Sequence, residues 1–157
     1  MIAKREEKIL KGSKELEPGE PSQPIKGGVP KNIKAVPDIY LKEGDYVGSL
    51  TVISTPGHTP GSLSFLDKRD NILIGGDSFQ TRGGMGVSGD LRLSFPFPAL
   101  ATWNKQEAVK SAKKIAAYRP SVLAVGHGKM VHTPLKDIER AILKAEKSIK
   151  KSGISIG

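Results

Sequence analysis

No cysteine occurs in this sequence. Disulfides and thiolate-held metals are thereby excluded, and any bound cation has only imidazole and carboxylate to hold it. Aromatic residues are scarce. Those that precede Phe79 are Tyr40, Tyr46 and Phe65, and their placement builds no platform on which bases could stack. No apolar run approaches the ~20 residues of a membrane span, so no membrane partner is expected. The opening Met1-Ile2-Ala3-Lys4-Arg5-Glu6-Glu7 is charged and lacks the apolar core of a secretion signal, which points to a cytoplasmic location. Acidic residues are in deficit, 16 against 25 basic ones, for a net charge of +9. Such a balance can signal nucleic acid or an acidic partner. The lysines, however, concentrate in two helical patterns, 104–118 and 134–151, on the faces turned away from the apolar residues, and read as solvated surface.

What is present suits one folded domain. The 157 residues are 37% hydrophobic and 26% charged, enough apolar content to close a core at this length. Residues 1–3 look like the stub of a strand. A short helix follows over 4–11, with Gly12 in the stopping position. Residues 12–37 are rich in Gly, Pro, Ser and Lys and predict an extended surface loop. From Ile39 the pattern turns to strands: Tyr40-Leu41, then 48–54 after the turn cluster Lys42-Glu43-Gly44-Asp45, then 62–66. Ile72-Leu73-Ile74 is continuously apolar and predicts a strand buried on both faces. Residues 79–100 lack periodicity and predict a loop. Within it, Gln80-Thr81-Arg82-Gly83-Gly84 and Phe95-Pro96-Phe97-Pro98 could wall a substrate pocket or simply fill space.

Asn104, with Glu107 three residues on, predicts a capped helix whose stripe is Ala108, Val109, Ala112, Ile115 and Ala116, stopped at Pro120. Trp103 reads as packing at the entry to that helix. Val122-Leu123-Ala124-Val125 predicts another buried strand. Thr133 and Pro134 open a last helix with Leu135, Ile138, Ala141, Ile142, Ala145 and Ile149 inward. Strands followed by helix, strand and helix give an α/β (α+β) class with helices covering a mixed sheet.

Three side chains share one setting. His58 lies in the turn Thr55-Pro56-Gly57-His58-Thr59-Pro60-Gly61-Ser62, straight after an apolar strand. Asp77 follows two glycines after another, in Gly75-Gly76-Asp77-Ser78-Phe79. His127 stands between glycines after a third, in Val125-Gly126-His127-Gly128. Singly, a loop histidine or a Gly-Asp turn is commonplace. Jointly they are three metal donors at strand tips, on loops that a rigid sheet can aim. Zinc, manganese and iron all accept this donor set. His132, the remaining histidine, reads as surface.

The turn spelled TPGHTPGS, followed in order by GGDSF and VGHG, resembles the metallo-β-lactamase superfamily, nearest its glyoxalase II-like and lactonase-like hydrolases. The resemblance implies an αββα sandwich of two similar halves around two metals, zinc above all. The first half of such proteins supplies an H-x-H-x-D-H motif. The second supplies a histidine to one metal, a bridging aspartate, and a histidine to the other; here these would be His58, Asp77 and His127. The metals would acidify a bridging water and polarise a substrate carbonyl.

This sequence contains no H-x-H-x-D-H. It therefore reads as the C-terminal half of such a fold: residues 1–37 as N-terminal helix and loop, 38–151 as the half domain, 152–157 as a tail. The expected function is that of a truncated metal-dependent hydrolase of ester, thioester or lactone type, inactive unless complemented, with no catalytic residue wholly its own. Its partners would be a small-molecule substrate once complemented, and a second copy of the chain or an N-terminal half. The alternatives are a non-catalytic remnant or interaction subunit, and a basic nucleic-acid-binding or nuclease-derived module. A missing half would also leave apolar sheet surface and an unpaired edge exposed.

Overall fold

The computed structural model describes residues 1–28, 33–92 and 96–153. Strand β1 (Ile2–Ala3) runs directly into helix α1 (Lys4–Leu10). Gly12, at φ 91°, turns the chain away. The following segment, where described, is irregular and returns at β2 (Tyr40–Leu41), which pairs in parallel with β1. Then come β3 (Tyr46–Val47), β4 (Leu50–Ser54), β5 (Leu63–Asp67) and β6 (Ile72–Ile74). A small hairpin, β7 (Phe79–Gln80) and β8 (Gly86–Val87), precedes helices α2 (Phe97–Ala101) and α3 (Lys105–Ala117). Strands β9 (Val122–Ala124) and β10 (Val131–His132) and helix α4 (Leu135–Lys151) close the chain.

The main sheet has the order β10-β9-β6-β5-β4-β3. Strands β4, β5 and β6 alternate in direction, and β9 is parallel to β6. The parallel step needs a crossover, and α3 is part of it. As a result β4, β6 and β9 all point the same way. Their C-terminal ends lie along one rim of the sheet, and His58, Asp77 and His127 follow those ends.

Alternation assigns the two faces. The row Leu66, Leu73, Leu123 points toward α3 and α4 and joins a buried cluster with Ile53, Val109, Ala112, Ile115, Ile138 and Ile142. The apolar residues expected on the inner faces of both helices meet there, except Leu135, which is half-buried outside the cluster. At the start of α3, the Glu107 N–H donates to Asn104 Oδ1 at 2.9 Å, the predicted cap. The next row, Val52, Phe65, Ile74, Ala124, points to the opposite face. On that face Val52 is fully buried, and Ile9 and Leu10 of α1 border a cavity with Phe65. Ile74 is 41% exposed.

Several expectations are corrected. Ile72-Leu73-Ile74 is buried on the helix side alone: Leu73 is fully buried, whereas Ile74 is exposed and Ile72 half-buried, and Val122 and Ala124 on β9 are half-buried too. The strand expected over 48–54 begins at Leu50. Gly48 (φ 60°) and Ser49 instead turn a hairpin that the Tyr46–Val47 strand completes. The loop expected over 79–100 contains β7, β8 and the start of α2. Phe79 and Val87 are core residues, both 1% exposed or less. No side chain caps α4: Thr133 sits at φ 46° and Pro134 begins the helix. Phe95 and residues 154–157 of the expected tail lie outside the described residues, as do residues 29–32 of the expected loop.

Candidate metal centre

The turn carrying His58 is held down on α3. The Asn104 N–H donates to Gly57 O, the Trp103 N–H to His58 O, both at 2.9 Å, and Ser111 Oγ donates to Pro56 O at 2.6 Å. Gly57 has φ 144°, and a Cβ there would lie 2.4 Å from Ala108 Cα. Glycine is therefore what lets the turn touch the helix. From the other side, Glu6 Oε1 of α1 accepts the Gly61 N–H at 2.8 Å. Trp103 itself is buried with Ile9 and Ile25, and its indole N–H donates to Gln23 O at 2.7 Å. It acts as helix-entry packing that ties the N-terminal segment to α3.

Asp77 stands in a 3-10 turn (Gly76–Ser78) beyond β6. The loop of His127 closes on it, with the Gly126 N–H donating to Gly76 O at 2.9 Å. A Cβ on Gly126 would fall 2.3 Å from Asp77 Oδ1. The Thr81 N–H donates to His127 O at 2.9 Å, and Gly128 (φ 116°) leaves space for Thr81 Oγ1.

The carboxylate of Asp77 lies between the two imidazoles. Its Oδ2 is 3.7 Å from His58 Nε2, and its Oδ1 is 3.5 Å from His127 Nε2. Both separations exceed an ordinary N–H···O bond. His58 is the more enclosed ring. Burial lowers its pKa below 6.5, outweighing the opposing pull of Asp77, so the ring is neutral at neutral pH. On its far side, His58 Nδ1 faces Ser88 Oγ at 3.3 Å and Thr102 Oγ1 at 3.5 Å.

These donors have the right chemistry for a divalent cation, since a neutral imidazole and a carboxylate both ligate zinc. The spacings suit two donors with one ion between them at bonds of about 2.0–2.2 Å. The number of donors falls short. Among the described residues, no group of three or more His, Cys, Asp or Glu side chains is arranged to hold an ion. His132 is exposed on β10 and takes no part.

Beside Asp77 and His58, the open sheet face forms a cavity of about 540 Å³ walled by Ile9, Leu10, Leu63 and Phe65. On the His127 side, Arg82, Gly83 and Gly84 line a second groove of about 700 Å³ with Gly128 and Lys129. Glu6, Ser88 and Thr102 have no counterpart in the sequence reading. They lie 55, 30 and 44 residues from the turn atoms they touch, and no local pattern marks them.

The model of the metallo-beta-lactamase superfamily matches residues 2–127, and the chain belongs to that superfamily. Its mixed sheet covered by helices is the fold of that family. The chain is 54% identical over 147 residues to "Uncharacterized protein YobT" of Bacillus subtilis (strain 168), which covers 94% of this chain and 63% of that protein. It is 35% identical over 80 residues to "Probable metallo-hydrolase YflN" of the same organism, covering 48% of this chain and 30% of the relative. Among solved structures, the metallo-beta-lactamase family protein TTHA1429 from Thermus thermophilus superposes with a TM-score of 0.54 at 18% identity, over 72% of this chain and 36% of that one. The chain thus spans less than two thirds of the length of each of these relatives. None of its helices is long and apolar enough to cross a membrane, among the described residues.

Proposed function

We propose that the chain supplies one half of a metal-dependent hydrolase site of the ester, thioester or lactone type, and that a further polypeptide segment completes it. The observation that carries this reading is the Asp77 carboxylate, one oxygen turned to His58 and the other to His127. Two side chains on either flank are too few for a catalytic zinc, which takes three protein ligands and a water. More than a third of the YobT relative has no counterpart here, enough chain to bring the missing donors. Bound metal, with zinc foremost and manganese or iron also suited to these donors, would acidify a water and polarise a carbonyl. The chain's own part is to keep His58 neutral and aimed, and to set one carboxylate between two imidazoles.

The test is metal analysis of the purified chain alone and co-expressed with an H-x-H-x-D-H-bearing segment. The chain alone should carry background metal. The complemented protein should carry stoichiometric metal and hydrolyse a chromogenic ester or lactone, and Asp77→Asn should abolish both. A complemented protein without metal, or one indifferent to Asp77→Asn, would refute the proposal.

One observation favours a second reading, an interaction subunit without catalysis: the partly uncovered sheet face around Ile74. Assembly without metal uptake would select it. The nucleic-acid reading has less support, because some lysines of the two long helices are engaged by carboxylates: Lys113–Glu146, Lys114–Glu43 and Lys144–Asp90. Salt-dependent RNA or DNA binding would revive it.

A further inference from the structure

The hydroxyls of Ser88 and Thr102 meet beneath the His58 ring, and a count of their hydrogens fixes the state of that ring. Both residues are buried, at 5% and 1% exposure. Thr102 Oγ1 lies 2.7 Å from the carbonyl oxygen of Pro98, an atom that can only accept. A hydroxyl has one hydrogen, so Thr102 donates it to Pro98. Thr102 then faces Ser88 Oγ, 2.8 Å away, as an acceptor. Ser88 in turn donates its hydrogen to Thr102. Its oxygen is left to accept, and the group beside it at 3.3 Å is His58 Nδ1.

A lone pair on Nδ1 would face two oxygens whose hydrogens are committed elsewhere, whereas a hydrogen on Nδ1 finds an acceptor in Ser88 Oγ, the nearer of the two. The reverse order would take the hydrogen away from Pro98 O and leave two acceptors opposed at 2.7 Å in a dry place, an arrangement that burial penalises.

We propose that Ser88 and Thr102 form a directed hydroxyl relay that holds His58 as its Nδ1–H tautomer and keeps the Nε2 lone pair turned toward Asp77. That lone pair sits 3.7 Å from Asp77 Oδ2, itself an acceptor. Two acceptors facing one another repel, and a cation between them removes the repulsion. The relay thus holds one face of the candidate centre ready for a positive ion before any ion arrives. Only this last consequence rests on the metal reading; the tautomer follows from the hydroxyls alone. Ser88 and Thr102 are positioning residues, acting through His58, of the outer kind that fixes the tautomer of a ligating histidine.

The tautomer is read directly by long-range proton–nitrogen NMR of the metal-free chain at about pH 8, above the ordinary histidine range. His58 should show a pyrrole-type Nδ1 and a pyridine-type Nε2. Thr102→Val keeps the shape but frees the Ser88 hydrogen to turn onto Nδ1, so the Nε2–H form should gain about fivefold, the ratio that one hydrogen bond of about 1 kcal/mol sets. Thr102→Ser should restore the wild-type spectrum. Should Thr102→Val not fold, Ser88→Ala should move His58 toward the tautomer ratio of an unconstrained histidine. A wild-type ring in the Nε2–H form, or an Nδ1–H form that persists in both Thr102→Val and Ser88→Ala, overturns the relay. An Nδ1–H ring in a chain that takes up no zinc even when complemented supports the relay and overturns the proposed function instead.

Discussion

Gly57 and Gly126 both bring the candidate centre together, but each yields to a different neighbour. At Gly57 an added Cβ meets backbone, 2.4 Å from Ala108 Cα and 2.5 Å from its nitrogen, at a φ of 144°. Neither the helix nor the turn can give way cheaply. Gly57→Ala should destabilise the chain by about 2–4 kcal/mol through strain and overpacking, measured by urea unfolding. At Gly126 the obstacle is the Asp77 carboxylate at 2.3 Å, and the nearest backbone atom, Gly76 C, is at an ordinary 3.5 Å. A carboxylate can rotate. Gly126→Ala should leave the melting temperature within about 4 °C of wild type, equivalent to about 1 kcal/mol, while moving the Asp77 carboxyl NMR signal and abolishing metal uptake in the complemented protein. A large loss of stability would show that the added methyl is resisted by backbone and not by the Asp77 carboxylate, contrary to these distances.

Among the elements, the turn between β5 and β6 carries its own acid-sensitive lock. Asp67 accepts from the Arg69 guanidinium at 2.6 and 3.0 Å and from the Arg69 N–H at 3.1 Å. These bonds lower its pKa from 3.8 to about 2. A carboxyl whose folded pKa is depressed stabilises the fold above the unfolded value and loses that contribution as pH falls from 3.8 through about 2. Arg69→Ala should return the Asp67 NMR titration midpoint toward 3.8; an unchanged midpoint would show that the fork is not what holds the proton off.

The same locality explains what the sequence disclosed. Apolar spacing along α3 and α4 and the Asn104 cap are relations within a few residues, and both helices stand where the pattern put them. His58, Asp77 and His127 were legible because glycines frame each of them. Strands β3, β7, β8 and β10 are two residues each, too short for alternation to register, and they exist through pairing with distant partners. The hydroxyl relay was equally hidden: Ser88 and Thr102 acquire their meaning from a ring 30 and 44 residues away. The apolar run of β6 was misread for a related reason. Composition reports that Ile74 is apolar, and only the arrangement of other elements decides whether anything covers it.

For the molecule as a whole, the two faces of the sheet are unequal. One is sealed by α3 and α4, and the other carries Phe65, Ile72 and Ala124 half-buried and Ile74 at 41% exposure. Apolar area left in water forgoes about 25 cal/mol per Å² of stabilisation, so a covering layer would be favoured here. If the proposed segment lies over this face, Ile74 separates two situations that a site mutation cannot. In the chain alone, Ile74→Glu puts a charge on a position already in contact with water. It should cost no more than about 1 kcal/mol and should reduce binding of an apolar fluorescent dye. In the complemented protein the same carboxylate would be trapped without a partner, at a cost of about 3 kcal/mol or more. Assembly with the H-x-H-x-D-H-bearing segment should therefore weaken by more than about a hundredfold in a titration of the two pieces, with stoichiometric metal lost at concentrations where wild type retains it. Equal affinity for wild type and Ile74→Glu would mean that the segment docks elsewhere. Self-association that disappears with Ile74→Glu would instead identify a second copy of the chain as what covers the sheet.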